Sequence, residues 1–190
     1  MLPQGIKVGM KESSGFDPIP ADVYSVELLD VSSVVHPTYD TRNSPPESQE
    51  METIFNFQFV LLEGQAGEKN LRGLSTWANF VPSYFYISKK NGKNRLFKII
   101  EALIGHDVGM QEYSQMENDA SSFLNALIGK QCRVVIEHVQ KGDKTYANPI
   151  SFMKTSSLLQ PLNPEEKEKA KIKKNKEERI EENKLNDIAF

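Results

Sequence analysis

Three histidines, His36, His106 and His138, and one cysteine, Cys132, are the side chains of this chain best suited to metal or nucleophilic chemistry. The histidines stand far apart, in two loop-like stretches and one strand-like stretch, without the close spacing of a sequence-local zinc motif. Cys132 lies in QCRVVIEHV, where Val134 and Ile136 share its face at period two, so it reads as a small core residue rather than a nucleophile. No GxxxxGK[ST] and no GxSxG occurs, and the glycines mark turns. The sequence therefore advertises no enzyme, no cofactor and no metal site.

Cations interleaved with aromatics give a stronger signal. The stretch WANFVPSYFYISKKNGKNRLFK, residues 77–98, carries Trp77, Phe80, Tyr84, Phe85, Tyr86 and Phe97 beside Lys89, Lys90, Lys93, Arg95 and Lys98, with no acid. Single-strand binders need both features, because cations neutralise phosphates while aromatic planes stack on bases of any identity. Arg72, Lys141, Lys144 and Tyr146 are expected to extend such a surface. The alternative is that most of these aromatics are core and that 89–98 is a solvated turn entering a helix. Whether that cluster shares a face with Trp77 decides between them.

The chain finishes on NDIAF, an apolar aromatic at a terminus that gains nothing from fraying into water. Residues 167–176 hold six lysines against Glu168, and 177–190 hold Glu177, Glu178, Glu181, Glu182 and Asp187 against Arg179 and Lys184. This end resembles the acidic tip of bacterial single-stranded DNA-binding proteins, an aspartate-rich stretch closed by Ile-Pro-Phe. Asp187, Ile188 and Phe190 match; Ala189 replaces the proline and Asn186 an acid. The resemblance implies a docking peptide whose terminal phenylalanine and carboxylate enter a partner's apolar, basic-rimmed pocket. Charge segregation also suggests that the tip competes with DNA for the basic groove.

The elements that must position these residues follow from periodicity. Residues 1–19 read as an extended arm rich in Gly, Pro and Ser. DVYSVELLDVSSVV, 22–35, has strand composition, with Tyr24, Val26 and Leu28 on one face, and HPTYDTRNSPPESQE, 36–50, with three prolines, reads as a long loop. In TIFNFQFVLLE, Phe55, Phe57, Phe59 and Leu61 alternate with Asn56, Gln58 and Val60, and NLRGLSTWANF alternates again after a GQAGEK turn. RLFKIIEALIG, 95–105, switches to helical spacing and stops at Gly105; DASSFLNALIG predicts a second short helix with Asp119 as N-cap and Gly129 as its stop. QCRVVIEHV and TYANPISFM are two strands joined by QKGDK, and Pro149 predicts an edge position or a bulge. From Pro161 onward little apolar material is left, so 159–190 reads as a charged tail, helical or disordered.

Five strands with a helix between the third and fourth is the order of an OB-fold, a mostly β, partly open barrel whose strands 2–3 and whose loops after strands 1 and 4 bind oligonucleotides. Those loops would be 36–50 and 140–144. An SH3-like barrel or a small sandwich gives a similar string. The body, about 18–153, resembles the phage-encoded family of predicted single-stranded DNA-binding proteins found in replication and recombination cassettes. Tyr24, Gly64, Gly105, Gly129 with Lys130, and Asn148 occupy places of that family's pattern, although Ala21-Asp22 stands where a glycine is usual. The resemblance implies a fold and a context rather than contact residues.

Of the 190 residues 38% are hydrophobic and the mean hydropathy is −0.49, figures of a soluble chain of one domain with appendages. No apolar run reaches bilayer-spanning length, and a single cysteine fits a reducing cytoplasm, the host's if the chain is phage-encoded. The sequence thus predicts an arm 1–19, an OB-like domain 20–158 and a partner-docking tail 159–190. The expected function is single-stranded DNA binding without catalysis, with replication or recombination proteins recruited through the tip, no membrane, and a homo-oligomer compatible with the pattern. A viral assembly protein using the barrel and tail for protein contacts is the second reading; an accessory to a nucleic-acid enzyme is a third.

Overall fold

A computed structural model describes residues 18–38, 40–141 and 144–171. The chain forms β1 (Asp22–Pro37), a 3₁₀ turn at Pro46–Ser48, β2 (Met51–Leu61), a small hairpin of β3 (Gln65–Ala66) and β4 (Lys69–Asn70), and β5 (Ser75–Pro82). A second small hairpin, β6 (Ile87–Ser88) and β7 (Gly92–Lys93), leads into α1 (Arg95–Ile104), α2 (Met110–Asn118) and α3 (Ala120–Asn125). The described residues finish with β8 (Gln131–Lys141), β9 (Lys144–Met153) and a helix over 164–171.

The five long strands make one antiparallel sheet in the order β5-β2-β1-β8-β9. β1 is the shared strand: Asp22–Glu27 pairs with β8, while Val26–Pro37 pairs with β2. Its far half pairs with β2, which is in turn paired with β5 from Ile54 to Val60, so only Val35–Pro37 and Met51–Thr53 run on past the third strand. Period-two alternation puts Tyr24, Val26, Leu28, Phe57, Phe59, Leu61, Cys132, Val134 and Ile136 on one face, all buried in the main core. Helix α1 adds Leu96, Ile99, Ile100 and Leu103 at helical spacing, with Asn94 capping its start and Gly105, at φ 82°, ending it. Gly64 is required at its turn: a Cβ there would stand 2.9 Å from the ring of Tyr24.

A barrel is realised only in part. The sheet curls until the ring of Phe59 on β2 lies 5.6 Å from that of Phe152 on β9, yet no ladder joins β5 to β9 and the sheet stays open. Local chemistry explains the gap. β5 carries an extra residue, Asn79 and Phe80 together opposing Asn56, and Pro149 on β9 has no N–H to donate. The register also shifts at Pro149, at the bulge expected there.

Packing runs on past residue 158. Leu162 and Ala170, with Leu159 beside them, cover Leu29, Val60 and Leu62 on the sheet's outer face. The 164–171 helix starts on a capping box, Asn163 and Glu166 exchanging hydrogen bonds of 2.8 Å each way. α2 is absent from the sequence reading because its surface is polar and only Met116 is buried.

Candidate nucleic-acid interface

Arg95, read from sequence as a phosphate contact, is turned inward. Its Nη1 donates to the carbonyl of Asn79 on β5 at 3.2 Å, its Nη2 to that of Pro149 on β9, and its guanidinium lies 5.8 Å from the ring centroid of Phe152. One side chain thereby bridges the two strands that lack a ladder, and burial lowers its pKa. Because one guanidinium reaches both carbonyls, the middles of β5 and β9, at Asn79 and Pro149, lie side by side.

Phe80 stands at that junction. It is 65% exposed and adopts φ 56°, in the left-handed region. Its N–H donates to Asn56 Oδ1 at 3.1 Å, and its ring meets that of His36 edge-to-face at 5.4 Å and 81°. The chain then passes through Tyr84, Phe85 and Tyr86. Phe85 turns in against Phe97 at 4.5 Å and Tyr113 at 5.8 Å, which leaves Tyr84 and Tyr86 on the outside, each 56% exposed. Asn94 fixes this strap, its Nδ2 donating to the carbonyl of Tyr84 at 2.7 Å and its N–H to that of Tyr86 at 2.8 Å.

The cations divide into two groups. Lys89 and Lys90, at the turn between β6 and β7, and Lys98 on α1 are exposed and make no ion pair among the described residues. Lys93 is held by Glu101 and, at 3.4 Å, by Asp107, and the hydrogen bond to Glu101 raises its pKa. Arg72 gives its donors to the protein: Leu62 O at 2.8 Å, Gln160 O and Pro161 O at 3.1 Å, and Glu166 at 3.2 and 3.5 Å. That is a clamp on the 160–166 segment.

Trp77 stands in register with Gln58, whose amide reaches Ala170 O at 3.4 Å, so the indole belongs to the outer face on which the 164–171 helix packs. Phe80, Tyr84 and Tyr86 instead lie at and beyond the bulge. Tyr146, 48% exposed, pairs with Val139 close to the β8–β9 turn. Lys141 and Lys144 are backbone partners in register across that turn. Asp187, Ile188 and Phe190 lie outside the described residues.

Sequence reasoning gave Asn56 and Tyr113 no part in the site and weighed His36 only as a metal ligand. Asn56 had a legible signal, a polar residue between two phenylalanines of a strand; His36 was placed in the loop, whereas it lies in β1, one residue before its end. Each histidine bonds a backbone carbonyl, His36 Nδ1 and His106 Nδ1 those of their neighbours Pro37 and Asp107, and His138 Nε2 that of the distant Ile19. No group of three or more His, Cys, Asp or Glu able to hold a metal occurs among the described residues. Burial pushes the Cys132 thiol up to about 12, which keeps it protonated and inert. No helix among the described residues is long and apolar enough to cross a membrane.

No family model matches the chain, and comparison with curated proteins and with solved structures finds no match either.

Proposed function

We propose that the chain is a non-enzymatic single-stranded DNA-binding protein of a phage-type replication or recombination system, built on an OB-like sheet. The observation that carries this reading is the acid-free stretch 80–90, in which Phe80, Tyr84 and Tyr86 are turned to solvent beside the unpaired Lys89 and Lys90. Aromatic planes for bases and mobile cations for phosphates are the two requirements of sequence-tolerant strand binding. In order along the chain the five long strands lie 3-2-1-4-5, the order of an OB-fold opened between strands 3 and 5. The strand would run along the β5–β9 junction, between Phe80 with the 84–90 strap and Tyr146 at the β8–β9 turn. In this reading the tip, Asp187, Ile188 and Phe190, recruits replication or recombination partners in the cytoplasm.

A second reading has its own support. Val34 and Val35 near the end of β1 and Met51 at the start of β2 are 47%, 62% and 55% exposed, an apolar surface suited to protein contacts in an assembly. Fluorescence anisotropy with labelled oligo-dT at two salt concentrations separates the two. Tight binding that weakens with salt and discriminates against duplex supports strand binding. No binding at micromolar protein and low salt removes it.

A further inference from the structure

We propose that Asn56, Arg95 and His36 are positioning residues that hold Phe80 as a preorganised platform for one unpaired base, an inference that rests on the strand-binding reading above. It starts from the φ of 56° that Phe80 adopts in the β5 bulge. The left-handed region disfavours side chains, large ones above all, and an asparagine or glycine would adopt it with less strain. Phe80 gains little burial in return, with 65% of it exposed. A large apolar side chain held out at a strained backbone position is the arrangement found where a site has been shaped for a ligand.

The holding is specific. A single peptide unit, the one joining Asn79 to Phe80, is pinned at both ends by side chains: its carbonyl accepts from Arg95 Nη1 at 3.2 Å and its N–H donates to Asn56 Oδ1 at 3.1 Å. Asn56 sits opposite the extra residue of the bulge, so its side chain supplies an acceptor where the ladder register breaks. The His36 and Phe80 rings meet edge-to-face, and His36 is itself tied down by donation from Nδ1 to Pro37 O at 2.7 Å. With backbone and ring fixed before a strand arrives, little side-chain freedom remains to be lost on stacking. Arg95 thus acts through Phe80 and not on phosphate.

The test measures the Kd for fluorescein-labelled oligo-dT against salt, together with Tm, for the full-length chain and five variants: Phe80→Ala, Phe80→Gly, Asn56→Ala, the Asn56→Ala/Phe80→Ala double variant, and Arg95→Gln. Loss of one stacked base weakens binding about 5- to 150-fold, which is the result expected of Phe80→Ala. Phe80→Gly weakens it equally while Tm rises, because the strain is relieved. Asn56→Ala weakens binding on its own yet adds almost nothing to Phe80→Ala, since both act through one ring. Arg95→Gln weakens binding with the salt slope unchanged, whereas loss of a phosphate contact would reduce that slope by about 0.7.

Unchanged affinity in Phe80→Ala, with the unaltered chain binding oligo-dT, overturns the inference and leaves the strand-binding reading standing. Additive losses for Asn56 and Phe80, or a reduced slope in Arg95→Gln, overturn the positioning roles. Should Arg95→Gln fail to fold, the Asn56 and Phe80 cycle decides alone. Absence of binding by the unaltered chain overturns both readings.

Discussion

Lys167 Nζ lies 2.5 Å from Glu27 Oε1, an ion pair between the 164–171 helix and a carboxylate that is 1% exposed on the outer face of β1. The contact lacks the angles of a hydrogen bond, and the other carboxylate oxygen accepts from Leu162 N–H at 3.4 Å. Glu27 is thus buried by the segment that neutralises it. Without residues 159–171 a strand charge and the apolar side chains of Leu29, Val60 and Leu62 would face water. A chain ending at 158 should therefore be less stable in urea than one ending at 171, and Leu162→Ala should cost about 2–5 kcal/mol. Lys167→Met should cost about 1–3 kcal/mol by leaving a buried carboxylate unpartnered. Equal unfolding midpoints for the two truncations would show that the segment contributes nothing.

Arg72 serves the same clasp from the other side, with five hydrogen bonds to Leu62, Gln160, Pro161 and Glu166. A lysine has neither the planar fork nor the donor count to replace it. Arg72→Lys should lower stability by about 1–3 kcal/mol while leaving the salt slope of oligonucleotide binding where it was. A slope lower by about 0.7 with unchanged stability would return Arg72 to the phosphate-binding surface.

Elements with a strong period are legible in the chain, and elements whose reason is tertiary are not. Alternating phenylalanines in β2, the apolar spacing of α1 and its Gly105 stop read directly because one face of each is buried in the main core. Gln58 and Val60 read as the wet face of the same strand and are buried, because a segment more than one hundred residues later covers them. That segment shows only Leu159, Leu162 and Ala170 among its charges, too few for a period. Its capping box, Asn163-Pro164-Glu165-Glu166, is the local signal that could have announced it. At the candidate site, residue type locates Phe80, Tyr84, Tyr86, Lys89 and Lys90, but type cannot tell a cation offered to solvent from Lys93 or Arg95, whose partners come from α1, β5 and β9.

Acid should loosen the helix starts. The backbone N–H groups of Glu112 and Gly109 hold the Glu112 carboxyl below its ordinary value, the Ser122 hydroxyl and N–H do the same for Asp119, and the Asn163 N–H and then Arg72 for Glu166. Since each folded value lies below the unfolded one, the stability these groups supply is complete above the ordinary range of 3.8 to 4.5 and is lost as pH falls through the lowered values. Thermal melts from pH 7 to pH 3 should therefore show a shallower acid limb in a Glu112→Gln/Asp119→Asn/Glu166→Gln variant than in the unaltered chain. Parallel limbs would assign the acid sensitivity to other carboxylates.

The division of the basic stretch into engaged and unengaged cations gives the salt dependence a residue-level form. Each phosphate neutralised on a single strand contributes about 0.7 to the slope of log K against log salt. Lys89 and Lys90 are exposed at the β6–β7 turn, whereas Lys93 already faces Glu101 and Asp107 and carries no charge left over for a phosphate. Lys89→Ala/Lys90→Ala should reduce the magnitude of the slope by about 1.4, weakening oligo-dT binding most at low salt and least at high salt. Lys93→Ala should leave the slope unchanged or steepen repulsion slightly, because it frees two carboxylates beside the strap. Identical slopes for the double variant and the unaltered chain would mean that the strand does not pass over this turn.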